Sequence, residues 1–168
     1  MDAEVRMAAS ERTGVVLTFG LANALFALPV APVVEILDAQ PVAPLPNAPA
    51  HLLGLIDRRG VSVPVVDLRL LMGMPPRADD PDTRIVVLRP DAEEASHIVG
   101  LRLDRVFEVT ELDHAESAPL PEAGLLGWDE AMVSGIGRRN GAFISVLRLM
   151  GLFESRLKQG ETPVMSAT

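Results

Sequence analysis

Apolar and polar positions in this chain alternate over short runs and seldom keep a helical period. Residues 15–19 and 24–28 are β-rich runs separated by Gly20-Leu21-Ala22-Asn23, which predicts a hairpin with a four-residue turn. Residues 29–37 read as a short turn or helical piece ending in Val33-Val34-Glu35-Ile36. Alternation there places Val33 and Glu35 on one face, Val34 and Ile36 on the other. Pro41, Pro44, Pro46 and Pro49 then set an extended connector, because each fixes its own φ and biases the preceding residue away from the helix. An apolar run over 51–56, a turn Asp57-Arg58-Arg59-Gly60 and a strand over 61–66 follow. Pro64 marks that strand as an edge or a bulge. Asp67 is placed to cap a helix over 68–72 with Gly73 as its stop, and residues 75–83 form a polar linker.

The second half repeats this order. Strands over 85–89 and 97–103 flank a polar turn at 90–95. Val106-Phe107-Glu108-Val109 stands 73 residues after Val33-Val34-Glu35-Ile36 and keeps its glutamate. Gly54, Arg58, Gly60, Val63, Val65 and Leu68 recur 81 residues on as Gly135, Arg139, Gly141, Ile144, Val146 and Leu149. The change of offset places an eight-residue insertion in the loop 115–130, where Trp128 is either a lid anchor or an exposed contact. Two copies of a strand–strand–connector–strand–helix unit predict a mainly β protein of two small barrel-like subdomains packed together. The tails, 1–12 and 158–168, read as disordered.

Composition narrows the function. The 168 residues hold no cysteine, which removes disulfides, thiolate metal sites and cysteine nucleophiles. A net charge of −8 without a basic block argues against nucleic acid or an anionic membrane surface as partner. Residues 13–34 carry no charge, yet Thr18, Asn23, Pro29 and Pro32 are spread through them, and a soluble hairpin fits better than a membrane span. No phosphate-binding, dinucleotide-binding or hydrolase motif is present, and His51, His97 and His114 are far apart in sequence. Asp79-Asp80-Pro81-Asp82 lacks the remaining ligands of a calcium loop and reads as solvated linker. No catalytic residue, cofactor or metal ligand is assigned. An enzyme would need titratable groups that gather only in three dimensions. Arg58-Arg59, adjacent guanidiniums in a tight turn of an acidic chain, are either a solvated turn or a rigid donor fork for a partner's carboxylates or carbonyls.

The string Gly54-Leu55-Ile56-Asp57-Arg58-Arg59-Gly60-Val61-Ser62-Val63-Pro64-Val65-Val66-Asp67-Leu68-Arg69 resembles the CheW-like family of chemotaxis coupling proteins. So do Phe26-Ala27-Leu28-Pro29-Val30, Val33-Val34-Glu35-Ile36, Val99-Gly100-Leu101 before Val106, and Ser134-Gly135-Ile136-Gly137. The likeness covers about 15–154 and places the domain at 13–157. It implies two five-stranded SH3-like β-barrels around a shared core, one over roughly 13–80 with possible strand exchange and one over 81–157. It further implies a non-catalytic adaptor of the bacterial cytoplasm, joining the tip of methyl-accepting receptors to the regulatory domain of a CheA-type histidine kinase. Arrays at the membrane would recruit it through those partners. By the same resemblance Val33, Glu35, Gly54 and Arg59 lie at or beside a receptor groove, with Arg58 next to them. Asp57-Arg58 stands where the family commonly has Asn-Leu, adding a charge where a partner docks. An adaptor of a pilus or diguanylate cyclase pathway would carry the same sequence features.

Overall fold

The computed structural model describes residues 14–90, 98–113 and 132–148. Its elements run β1 (Val15–Leu21), β2 (Ala24–Pro29), β3 (Val33–Asp38), β4 (Leu52–Arg58), β5 (Val61–Asp67), α1 (Leu68–Leu71), β6 (Arg84–Leu88), β7 (Val99–Leu103), β8 (Arg105–Glu111), β9 (Val133–Arg139) and β10 (Ala142–Leu147). The tails, the turn after Pro90, the 115–130 insertion with Trp128, and His97 and His114 lie outside the described residues.

The first hairpin turns more tightly than the four-residue expectation. Gly20 and Leu21 stay in β1, paired with Leu25 and Ala24, so only Ala22 and Asn23 make the turn. Leu21 holds the strand in place because its side chain is fully buried in the main core. Residues 33–38 are a strand rather than a helical piece, and their half-buried and exposed positions alternate as the pattern predicted. Asp67 caps α1 by accepting from the Arg69 amide at 2.9 Å, and Gly73 follows with φ 81°. Pro64 corrects another expectation: β5 lies between β4 and β7, not at an edge. The proline is tolerated because β7 pairs only with Val65, Val66 and Asp67.

The two sheets have orders β8-β1-β2-β10-β9 and β3-β6-β7-β5-β4. With β1–β5 as the first repeat and β6–β10 as the second, both orders are third-first-second-fifth-fourth. Each sheet therefore takes two strands from one repeat and three from the other. The division near residue 80 accordingly does not separate the barrels; the exchange is complete and reciprocal. The links explain it. Only Asp104 joins β7 to β8, too little for a hairpin, so the chain runs on into the other sheet. Residues 30–32 make the same crossing from β2 to β3.

Each sheet curls until its third-position strand reaches its fourth. Beyond β3, Ala43 exchanges two backbone hydrogen bonds with Leu55 of β4, at 2.9 and 2.8 Å. Beyond β8, the Asp113 amide donates to the Arg138 carbonyl of β9 at 2.8 Å. We call the β1-containing sheet barrel one and the β6-containing sheet barrel two. Val16, Ala27, Ile144 and Val146 fill barrel one, and Ile56, Val63, Val65 and Ile85 fill barrel two. The largest cluster lies between them: Leu17, Phe19, Leu21, Phe26 and Leu28 from barrel one meet Val66, Val86, Leu88, Leu101 and Leu103 from barrel two. Strands β1, β2, β6 and β7 are buried on both faces, which is why their sequences alternate least. Among the described residues no helix is long and apolar enough to cross a membrane.

Residues 75–83 are not a freely solvated linker. Arg69 Nε donates to the Pro75 carbonyl at 2.9 Å, and Arg102 holds both the Arg77 carbonyl (2.7 Å) and the Asp79 carboxylate. Asp80 accepts from the Asp82 and Thr83 amides at 2.8 and 3.1 Å and pairs with Arg77. Its carboxyl is held below the usual carboxylate value chiefly by the Asp82 N–H, with the Arg77 guanidinium and Thr83 adding to the effect.

A Cβ on Gly54, whose φ is +145°, would lie 1.9 Å from the Ala43 carbonyl oxygen. Gly54→Ala should therefore destabilise the fold by more than about 2 kcal/mol, read from urea unfolding. Asp80, whose folded pKa is the lower one, stabilises above its unfolded value and loses that contribution as pH falls through the folded value. The stability gap between the wild type and Asp80→Asn should shrink as pH is lowered from about 6 to about 3.

Candidate functional site

The hairpin β4–β5 is built around a two-residue turn. Arg59 and Gly60 both have positive φ, 54° and 83°, the pattern of a type I′ turn. Asp57 Oδ1 braces it by accepting from the Gly60 amide at 2.8 Å, an acceptor role that an asparagine fills equally well. Arg58 is thus the last residue of β4, not part of the turn, and its side chain is directed along the sheet surface toward β3.

There it meets Glu35. Arg58 Nε donates to Glu35 Oε2 at 2.7 Å, and Arg59 Nη2 reaches Glu35 Oε1 at 3.4 Å. The Arg58 side chain is 18% exposed and that of Glu35 26%, whereas Arg59 is 77% exposed. Arg58 therefore does not project its charge at a partner; it neutralises a half-buried carboxylate of its own chain. Arg59 retains most of its donors. Val34 and Ile36, on the face of β3 opposite Glu35, and Val61 of β5 are exposed large apolar side chains of these strands.

The five residues singled out in the sequence do not all meet. Glu35, Arg58 and Arg59 form one cluster. Val33 packs against the core between the barrels. Gly54 lies under the connector, where its missing side chain admits the Ala43 backbone.

A second cluster repeats the first. Glu108 and Arg139, the counterparts of Glu35 and Arg58, are joined at 3.2 Å. The turn Asn140-Gly141 has φ of 52° and 81°, as at Arg59-Gly60. β4 and β9 also share one burial pattern along their lengths. Here the surface is aromatic: Phe107, Val109 and Phe143 are exposed, with Arg105 and Arg138 stacked over Phe107 and Phe143 at 5.2 and 4.8 Å. Sequence reading matched Glu108 and Arg139 to the first repeat without pairing them. It missed a buried charge group altogether, Arg69, Arg102, Asp67 and Asp104. The available signal was Arg102 between Leu101 and Leu103, a charge in a strand buried on both sides. Among the described residues, no three His, Asp or Glu side chains gather as a metal ion requires.

The Glu35–Arg58 pair is shielded on both sides and the Glu108–Arg139 pair is not. A double-mutant cycle with Glu35→Gln and Arg58→Leu should give a coupling near 1 kcal/mol. The cycle at Glu108 and Arg139 should give about 0.3 kcal/mol and vanish in 1 M salt. Urea unfolding at low and high salt measures both.

Comparison with known proteins agrees with this architecture. The CheW-like domain pattern matches residues 15–157. The chemotaxis protein CheW of Rhizobium meliloti is 28% identical over 143 residues, covering 85% of this chain and 89% of that protein. The chemotaxis protein CheW of Helicobacter pylori is 28% identical, covering 74% of this chain and 72% of its own. The crystal structure of the scaffolding protein TtCheW from Thermoanaerobacter tengcongensis superposes with a TM-score of 0.72 at 29% identity, covering 84% and 93% of the two chains. With the paired barrels, the repeated hairpins and a match over nearly the whole described chain, this protein belongs to the CheW-like domain family.

Proposed function

We propose that the chain is a non-catalytic adaptor of chemotaxis signalling, working at the cytoplasmic face and coupling methyl-accepting receptors to a CheA-type histidine kinase. Family membership supports the adaptor role, and the cluster on β3–β4–β5 supplies a docking feature of suitable chemistry. We assign receptor contact to Arg59, with Glu35, Arg58, Gly54 and Val33 shaping its surroundings. Arg58 orients Glu35, Gly54 lets the connector close the barrel beside it, and Val33 anchors β3 to the core.

The observation that carries the reading is a comparison inside the molecule. Arg59 and Asn140 occupy equivalent turn positions with φ of 54° and 52°. Asparagine tolerates that conformation readily, whereas arginine is held there at a cost of roughly 1 kcal/mol. The exposed 3.4 Å contact to Glu35 returns little of that cost. A residue poor for the fold at its position, well exposed and rich in donors, fits a binding role.

Arg59→Asn should accordingly raise stability by roughly 0.5 kcal/mol, while weakening binding to a receptor cytoplasmic-tip fragment by about tenfold or more. Thermal unfolding and titration calorimetry read the two effects separately. Wild-type affinity in the variant would remove Arg59 from the docking site. Purification of the native protein with its partners tests the adaptor reading itself: a receptor and a histidine kinase should copurify.

A further inference from the structure

Asp104 is the whole connection between β7 of barrel two and β8 of barrel one. Its side chain is 5% exposed, and its Oδ2 is gripped from three directions. The Ala22 amide, in the β1–β2 turn of barrel one, donates to it at 2.7 Å. Arg69 of α1, on the barrel-two side, donates from Nη1, and Arg77 of the connecting strap reaches it at 3.5 Å. Arg102 extends the network to Asp67 at 3.3 Å and to Asp79. Arg69, Arg77 and Arg102 thus bind Asp67, Asp79 and Asp104 around the seam, with Asp80 paired to Arg77 at its outer end.

Among the described residues, the other crossing at 30–32 shows no such network. The residues equivalent to Asp104 and Asp67 under the repeat offsets are Ala31 and Arg148, so the two buried aspartates have no acidic counterparts across the pseudo-two-fold. The repeat thus makes its other, three-residue crossing with an alanine at the equivalent position. The ion network is not a strong source of stability, because desolvating buried ion pairs costs about as much as their attraction returns. What such a network supplies is direction. Burial of apolar surface in the core between the barrels is a non-directional attraction, whereas hydrogen-bonded charges have one good geometry.

We propose that Asp104, held by Ala22, Arg69 and Arg77, is a latch that fixes the angle between the two barrels. It acts as a positioning residue, keeping the Glu35–Arg58–Arg59 cluster on barrel two in register with the Phe107 and Phe143 surface on barrel one. The use of that register in docking rests on the adaptor reading; the latch itself does not.

The absence of native cysteine allows a direct test. Spin labels on Ser62→Cys and Ala142→Cys, exposed positions in barrel two and barrel one, report the inter-barrel distance. The wild-type background should give one narrow distribution. Asp104→Asn, with unchanged circular dichroism, should broaden or shift it and speed amide exchange at Ala22 by roughly tenfold. A lowered urea midpoint with an unchanged distribution in the folded variant would mean a merely stabilising role and would overturn the latch. Should Asp104→Asn fail to fold, Arg77→Ala removes only the half-exposed arm. Broadening there supports the latch, and an unchanged distribution overturns it. Neither readout includes a receptor or kinase, so failure of the latch and failure of the adaptor reading are distinguishable.

Discussion

The shortness of two links governs this structure. A chain leaving β2 has three residues, and one leaving β7 has a single residue, before the next strand begins. The one-residue link cannot fold back beside its own strand, and the three-residue link takes the same route across, so both copies of the third strand continue into the opposite sheet. Everything else is arranged around that crossing. Strands four and five follow the third, the first two stay behind, and each barrel closes only with material from both repeats. The four strands that remain at the centre are consequently buried on both faces, and their side chains form the largest core cluster.

Charge is handled according to depth. At the seam between the barrels, Asp67 and Asp104 are nearly inaccessible and each is matched to an arginine. At the hairpin tips, Glu35 and Glu108 are matched to Arg58 and Arg139 on adjacent strands of the same barrel, half-shielded in one case and open in the other. An acidic chain thus spends several of its fourteen arginines on its own carboxylates. The cationic side chain left most available at the first hairpin is Arg59.

Much of this was legible in the sequence because repetition carries structural information twice. The glycines after Arg59 and Asn140 mark turns of one type, and the matched apolar positions of β4 and β9 yield matched burial. Leu21 belongs to the strand and not to the turn because strand length there is set by a core position, not by local turn chemistry. Pro64 pointed to an edge because its reading assumed a neighbour along the full strand, whereas β7 covers only the last three residues. The direction of Arg58 depended on whether the turn held two residues or four, and one residue of register moves a side chain from tip to sheet surface. The partners of Arg102 were beyond reach, since Asp67 and Asp79 come to it only through the parallel pairing of β5 with β7 and the path of the strap.

The reciprocal exchange has a consequence for how such a molecule can be divided. One repeat, taken as a chain by itself, contains two strands of one barrel and three of another, and so completes neither. Its smallest finished form is a two-fold dimer in which each chain lends three strands to its mate. The present chain is that dimer with its two halves joined end to end by the strap after α1. Joining makes assembly independent of concentration. It also frees the two ends to differ, so that one tip places Arg59 in its turn while the other has Asn140 there and exposes Phe107 and Phe143.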